Sequence, residues 1–483
     1  RSRGLGDVYK RQGRRSVKIV GIKVRKGTHE WPRGALYVKV KLERGAKYRF
    51  SVWYRTTDLK PGGGNVKVYI LPGMLWADLP PSREWRRFEH EFVAKADEAC
   101  VYLANWAVGT VWFDDVELRK LPDGPNVLPN PSFERGLPVE RAEEAYIEDM
   151  LEHRISPTSP ASPRVKVEGG RVEIDWSDFD RRIGRYVEMG LTGINVNWAR
   201  LPGGWGKVAT ASPEQVRLAE KILRLTERHL GERGWLDLAY TYVIDEPSAG
   251  YFPQVRAAFE IVKRASPGIK TLLTLGYGAT RPWRPGQPGL PPYAELRDCV
   301  DIWVPHTDCF HEGFMEEMRR AGREIWAYVC ISAQKPYANI WAIDYPGADH
   351  RVLFWQLWRY RVTGFLYWCV NYWKVNPWEE TMTYPGGNGD GSLLYPGDTG
   401  PVNSIRWELT RDGIEDYDYL ALLSRLVREA ERRGLKSPAI ERARRLLDVS
   451  DLCSSWTKYT EEPEKIEARR NSVAAAIEEL HMR

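Results

Sequence analysis

From Ser16 to Leu121 the chain runs in short segments whose apolar and polar residues alternate, split by turn residues. Examples are "LYVKVKLE", "KYRFSVWYR", "NVKVYIL" and "TVWFDDVELRK". Period-two alternation at this spacing predicts an antiparallel β-sandwich over residues 16–121, with 1–15 outside it. Residues 122–141 are rich in Pro, Gly and Asn and read as a linker. After Glu140 the period changes. Helical stretches such as "SPEQVRLAEKILRLTERHL" alternate with short apolar runs such as "LDLAYTYVIDEP", "IKTLLTLGYG", "VDIWVPHT", "EIWAYVCIS" and "TGFLYWCVNYW". Alternating helices and strands predict a parallel sheet, and about seven repeats predict a TIM-like (β/α)8 barrel over 142–403. The weak point is its first strand: "RIS" after the first helix is short and no clear strand precedes Ala142, so either the barrel is incomplete or "NVLPNPSF" stands in. From Ser404 to Arg483 the pattern is helical.

Composition narrows the function. The chain has 483 residues, 43% hydrophobic and 28% charged, with a formal charge of +6. Lys and Arg are scattered among Asp and Glu, so no nucleic-acid partner is expected. No apolar run reaches membrane-spanning length. The cysteines form no C-x-x-C pair, so no metal cluster is expected, although a bridge between Cys299 and Cys309 stays open; no cofactor is expected either. "DVYKRQ" (Asp7–Gln12) resembles one reading frame of a sequencing-library adapter. The natural start is then expected to lie outside this sequence, and an export signal cannot be read from it.

The 21 Trp and 24 Tyr carry more information. Several fall at the ends of predicted strands, and a barrel presents its site at the C-terminal ends of its strands. The strand-end residues are Arg154, Asn197, Trp198, Asp245, Glu246, Tyr277, His306, Asp308, Tyr328, Trp368, Asn371 and Trp373. Carboxylates among hydrogen-bond donors and flat aromatics make up a sugar site. Simple alternation along "GFLYWCVNYW" puts Trp368 and Trp373 on opposite faces and favours Trp373, with Asn371, as cavity wall.

The centre of this set is "YVIDEP". Asp245 and Glu246 are adjacent, and neighbouring strand residues point to opposite faces. Both reach one cavity only if the strand is ending, as Pro247 suggests. Pro247 is also expected to hold Glu246 extended. A two-carboxylate retaining glycosidase needs its groups about 5–5.5 Å apart across the bond. "GFLYWCVNYW" offers no second carboxylate. Substrate-assisted hydrolysis needs none, because a 2-acetamido oxygen of the sugar is the nucleophile. A barrel that binds glycan without turnover is the competing reading, as is a two-carboxylate glycosidase of other specificity.

"YVIDEP", "GFLYWCVNYW", "NGDGSLLYPG" and "PVNSIRWELTRDGIEDYDYLALL" together resemble the catalytic domain of glycoside hydrolase family 123 and its relatives in domain-of-unknown-function family 4091. The likeness covers about Ala142 to Leu423. It implies a retaining, substrate-assisted β-N-acetylgalactosaminidase, with the catalytic pair falling on Asp245 and Glu246 and the other strand-end residues as substrate contacts. A glycan-degrading role favours secretion or the periplasm. "ERGAKYRFSVWYRT" and "VWFDDVELRK" resemble jelly-roll carbohydrate-binding modules. Sugar binding there is expected to need exposed Trp53, Trp85 or Trp106, whose burial in the core is the plainer expectation.

Overall fold

The protein was analysed as a computed structural model that describes residues 16–21, 34–59, 65–128, 139–199, 211–281, 283–284, 286–397 and 400–481. The adapter-like start lies outside them. The chain divides into two compact units, residues 1–146 with 397–400, and residues 147–396 with 401–483.

The first unit is a β-sandwich. Its strands are β1 (Val17–Gly21), β2 (Gly34–Lys41), β3 (Lys47–Thr57), β4 (Val66–Leu71), β5 (Leu75–Leu79), β6 (Arg86–Val93), β7 (Glu98–Asn105) and β8 (Gly109–Lys120). They form two four-stranded antiparallel sheets, ordered β1-β8-β3-β6 and β2-β7-β4-β5. Alternation drives the packing. Phe50, Val52 and Tyr54 of β3 and Val66, Val68 and Ile70 of β4 enter one shared core. Trp53, Trp85 and Trp106 are neither core nor fully exposed; all three are half-buried.

The second unit opens within α1 (Val139–Glu152) and continues through the hairpin β9 (Arg164–Glu168) and β10 (Arg171–Asp175) to α2 (Ser177–Glu188). There follow β11 (Ile194–Asn195), α3 (Pro213–Glu232), β12 (Ala239–Tyr242), α4 (Phe252–Ala265), β13 (Lys270–Leu275), α5 (Tyr277–Thr280), β14 (Ile302–Pro305), α6 (Glu312–Arg320), β15 (Glu324–Tyr328), α7 (Gly347–Arg359) and β16 (Gly364–Leu366). Two hairpin strands, β17 (Leu394–Pro396) and β18 (Pro401–Asn403), precede α8 (Ile405–Arg432) and α9 (Pro438–Leu446). The pair β19 (Cys453–Ser455) and β20 (Lys458–Tyr459) and the last helix, α10 (Pro463–His481), complete the unit.

Local chemistry explains where the helices begin. Ser212 and Gln215 form a capping box at the start of α3, with Pro213 in the first turn. Strands β11 to β16 pair in sequence order, all parallel. Residues of β13 and β14 are buried on both faces, as helix-covered parallel strands require.

The parallel sheet is a half-barrel of six strands rather than the expected closed eight. The weak first strand has a physical cause. "RIS" runs into "PTSPASP", whose Pro157, Pro160 and Pro163 lack the N–H groups a ladder needs. One backbone bond, from Asn195 N–H to the Thr158 carbonyl at 3.3 Å, is made where a neighbouring strand would run. All six cysteines are free, so Cys299 and Cys309 are not bridged.

The C-terminal helices are held by a buried ion pair. Asp416 of α8 accepts from Arg351 of α7 through both carboxylate oxygens, at 2.6 and 2.9 Å, and from Trp355 Nε1 at 2.9 Å. Burial pushes the Asp416 carboxyl above its usual range, and the Arg351 bonds oppose that. Removing one partner strands a buried charge. Arg351→Met is therefore expected to destabilise the protein by about 3–5 kcal/mol, read from urea denaturation. Adding Asp416→Asn should recover part of the loss.

Candidate active site

Alternation on the half-barrel decides which side chains meet. Tyr240, Leu272, Ile302, Val304 and Tyr328 cluster on one face, with Tyr242, Trp326, Cys330 and Leu366 packed against them. Continuing by steps of two, β12 supplies Tyr242, β13 supplies Thr274 and then Gly276, and β14 leads to His306. These positions lie at the C-terminal ends of the strands. Asp245 and Glu246 sit in a bend just past the end of β12, and both are exposed.

Glu246 is not extended. Its φ is +42°, in the left-handed region. The expected restraint from Pro247 is overridden by hydrogen bonding, because the Glu246 N–H donates to Thr274 Oγ1 at 2.9 Å. The same hydroxyl lies 2.9 Å from Asp245 Oδ1 and 3.0 Å from the Tyr242 hydroxyl. Tyr242 also reaches Asp245 Oδ1. Two hydroxyls hold two protons, so only two of these three O···O contacts carry one. In each of the three possible arrangements Asp245 receives at least one donor. Burial, then the Asp245 carboxylate, raise the Tyr242 phenol far above its ordinary value and keep it protonated.

Glu246 is held separately. Tyr328 donates its hydroxyl to Glu246 Oε1. Burial first, then the Glu246 charge, hold that phenol well above its ordinary value. The floor beneath the carboxylate is Gly276. A Cβ there would stand 2.7 Å from Glu246 Oε2.

A second network adjoins the first. His306 and Asp308, 1% and 3% exposed, are hydrogen-bonded through Nδ1, and the Tyr277 hydroxyl donates to the other Asp308 oxygen. Cys330 N–H points at His306 Nε2 at 3.1 Å, and Ser332 Oγ lies 3.1 Å from the same nitrogen. Burial disfavours the extra proton of a charged His306 ring, while the Asp308 bond and the Cys330 thiol favour it. The Cys330 N–H opposes that proton, because it needs the Nε2 lone pair; the geometry supports the neutral ring with its proton on Nδ1. The His306 ring packs edge-on against Tyr328, 4.8 Å between centroids, so the second network buttresses the first. The Tyr277 ring itself is half-exposed at the rim.

The residues after β16 form another wall. The strand stops at Leu366, so alternation does not extend to Trp368 and Trp373. Trp368 is the more exposed of the two and donates Nε1–H to Asp390 at 2.9 Å. Tyr367 donates to the same Asp390 oxygen at 2.6 Å. Trp373 is half-buried, its Nε1–H bonded to the Leu394 carbonyl at 3.0 Å. Asn371 is exposed and bridges to Ser392. Arg406 of α8 fixes this loop by donating to the carbonyls of Trp341, Gly389 and Ser392.

Three predicted residues lie apart from these networks. Trp198 is buried between helices, its Nε1–H on Thr226 of α3 and its ring 5.3 Å from Phe179 of α2. Asn197 bonds Ser159 at 3.3 Å. Arg154 pairs with Asp418 of α8 at 2.8 Å. Sequence reasoning passed over Tyr242, Thr274, Gly276, Cys330, Ser332, Asp390 and Arg406. Tyr242 alone carried a local signal, three residues before Asp245 in the same stretch. No cluster of His, Cys, Asp and Glu suited to a metal occurs among the described residues.

A sequence profile described as "Glycoside hydrolase 123, catalytic domain" matches residues 148–423, more than half of the chain. The chain belongs to that family. It is a glycoside hydrolase by descent, and its substrate class is glycan. Among curated proteins none matches. Among solved structures the chain is similar to the CBM22-1–GH10 modules of endo-1,4-β-D-xylanase 10B from Clostridium thermocellum, complexed with xylohexaose. Identity is 11%, over 85% of this chain and 92% of that one, with a TM-score of 0.32. It is also similar to a ligand-free carbohydrate-binding module, PbXyn10C, at 25% identity over 25% of this chain and 76% of that one, with a TM-score of 0.20.

Gly276→Ala tests whether the Glu246 carboxylate must sit where it does. The backbone tolerates alanine there, and the only atoms in the way belong to the flexible end of Glu246. The fold should stay intact by circular dichroism while kcat for glycoside hydrolysis falls about 10²-fold, the scale of an ångström-sized misplacement.

Proposed function

We propose that this glycoside hydrolase removes terminal β-linked N-acetylhexosamine, N-acetylgalactosamine foremost, by retaining, substrate-assisted catalysis. One observation carries the reading. Among the described residues of the strand-end hydrogen-bond networks, Asp245 and Glu246 are the exposed carboxylates, each bound by a tyrosine hydroxyl. Asp308 and Asp390, the other carboxylates in the strand-end networks, are 3% and 1% exposed and engaged by neighbouring side chains. Neither is placed to attack an anomeric carbon.

In the first step the acetamido carbonyl oxygen of the substrate attacks its own anomeric carbon. The bond from that carbon to the glycosidic oxygen breaks, and protonated Glu246 delivers its proton to the departing oxygen. The acetamido group becomes an oxazolinium, whose N–H is turned to the Asp245 carboxylate. Tyr242 and Thr274 fix the position of that carboxylate. In the second step Glu246, now ionised, takes a proton from water as the water attacks the anomeric carbon. The five-membered ring opens, the acetamido group is restored, and two inversions give net retention. The exposed Trp368 and half-exposed Tyr277 supply flat faces for the sugar, and exposed Asn371 a polar contact.

Activity on the 4-nitrophenyl β-glycosides of N-acetylgalactosamine, N-acetylglucosamine and galactose tests the specificity. The first is expected to be the best substrate and the unacetylated sugar inert. Glu246→Gln should abolish turnover of poor leaving groups and spare activated aryl glycosides more, since their departure needs less acid help. Asp245→Asn should slow all acetamido substrates alike, by about two to three decades. A thiazoline analogue of the cyclised sugar should inhibit tightly. Efficient galactoside cleavage through an ester trapped on another carboxylate would refute the mechanism.

A further inference from the structure

The sandwich carries an aromatic row that the catalytic reading does not use. On β4, Val66, Val68 and Ile70 face the core, so Lys67, Tyr69 and Leu71 face away from it. The register then aligns one residue from each strand of that sheet. Tyr37 of β2 pairs with Tyr102 of β7, Tyr102 with Tyr69 of β4, and Tyr69 with Trp76 of β5. Successive ring centroids are 5.2, 4.5 and 4.8 Å apart. Trp106, just beyond β7, adds a ring 5.8 Å from Trp76. With strands about 4.8 Å apart, the row spans about 14 Å.

Packing alone does not account for this row. A sheet face turned from the core is ordinarily polar. Here Tyr37 is 56% and Trp76 59% exposed, at the two ends of the row, while Tyr102 is half-buried and Tyr69 buried between them. Polar groups border it at the Trp76 end. Lys67 Nζ lies 5.1 Å over the Trp106 ring and is paired with Asp78, which also accepts from Asn65 at 2.9 Å. At the Tyr37 side Lys39 is paired with Glu98 at 2.6 Å. These charges are neutralised locally, so they offer donors and acceptors without an excess of either sign.

We propose that the Tyr37–Tyr102–Tyr69–Trp76 row, with Trp106, is a binding site for a neutral oligosaccharide chain. The C–H face of one sugar ring packs on exposed Trp76 and that of another on exposed Tyr37, while Tyr69 and Tyr102, stacked on each other between them, back the two ends; the hydroxyl rims meet Lys67, Asp78 and Asn65. The paired border charges favour an uncharged glycan over a polyanion. The span admits a few sugar units, which suits a chain-like ligand better than a single monosaccharide. The proposal rests on the family's glycan substrate class and not on which sugar the catalytic unit removes.

The test is affinity electrophoresis of the full chain in gels containing galactan, xylan, glucomannan or desialylated mucin, with chondroitin sulfate as the polyanion. Hydrolysis of a small 4-nitrophenyl glycoside is measured in parallel on every variant. At least one neutral glycan should retard the protein. Trp76→Ala and Tyr37→Ala should each weaken that retention about tenfold, with hydrolysis of the small substrate unchanged. Both residues are exposed, so truncation leaves the core intact, and unchanged hydrolysis reports a folded enzyme. Four results would overturn the proposal: no retardation by any neutral glycan, retardation by chondroitin sulfate alone, retention that survives both substitutions, or substitutions that change only the sedimentation of an oligomer. Retention and small-substrate hydrolysis are read separately, so a wrong sugar specificity and an absent glycan site give different patterns.

Discussion

Two carboxylates adjacent in a chain serve one cavity only if the backbone between them departs from the extended form. The Asp245–Glu246 network at the open end of the half-barrel depends on that departure. Glu246 makes it, at a positive φ that a non-glycine residue adopts at a cost of about 1–3 kcal/mol. The surroundings over-determine it. Thr274 receives the Glu246 N–H and touches Asp245, while Tyr328 takes the Glu246 carboxylate and Gly276 leaves room beneath it. One threonine hydroxyl inside a buried strand thus sets the relative placement of both acids.

The same half-barrel end holds carboxylates in two conditions. Asp245 and Glu246 keep solvent access and a limited set of donors. Asp308 and Asp390 are sealed and serve as anchors, one for His306 and Tyr277, the other for Tyr367 and Trp368. Burial raises the Asp390 carboxyl, and it outweighs the donors that lower it. At Asp308 the His306 and Tyr277 bonds win, and the carboxyl is held below its ordinary range despite burial. Residue type alone does not separate these roles; accessibility and the number of donors do.

Much of this was legible in the sequence because it follows from periodicity. The sandwich, the alternating helices and strands, and the Asp–Glu pair at the end of an apolar run all came from patterns of two and of three to four. The errors share a cause as well. Trp198 and Arg154 sit near strand ends in the chain, but a strand end has an inner and an outer side, and these two face helices. Thr274 was invisible because threonine is an ordinary strand former, and nothing local marks its hydroxyl as a hub. The alternation that ranked Trp373 above Trp368 does not apply, because β16 stops after three residues. Trp76 escaped notice because it faces outward from a short strand, and only the cross-strand register lines it up with three tyrosines.

The position of Arg406 changes how the C-terminal helices are to be regarded. It sits in the first turn of α8, yet its guanidinium collects carbonyls from Trp341, Gly389 and Ser392. Trp341 in turn donates to the Cys330 carbonyl, and the Cys330 N–H meets His306. A continuous run of hydrogen bonds therefore links α8 to the ring that braces Tyr328. The family profile ends at residue 423, in the middle of that helix, which continues to Arg432. The matched range therefore ends inside a helix rather than at a boundary between elements. A truncation at residue 423 would cut α8 in two and remove its last buried residues, Val427 and Ala430, from the packing.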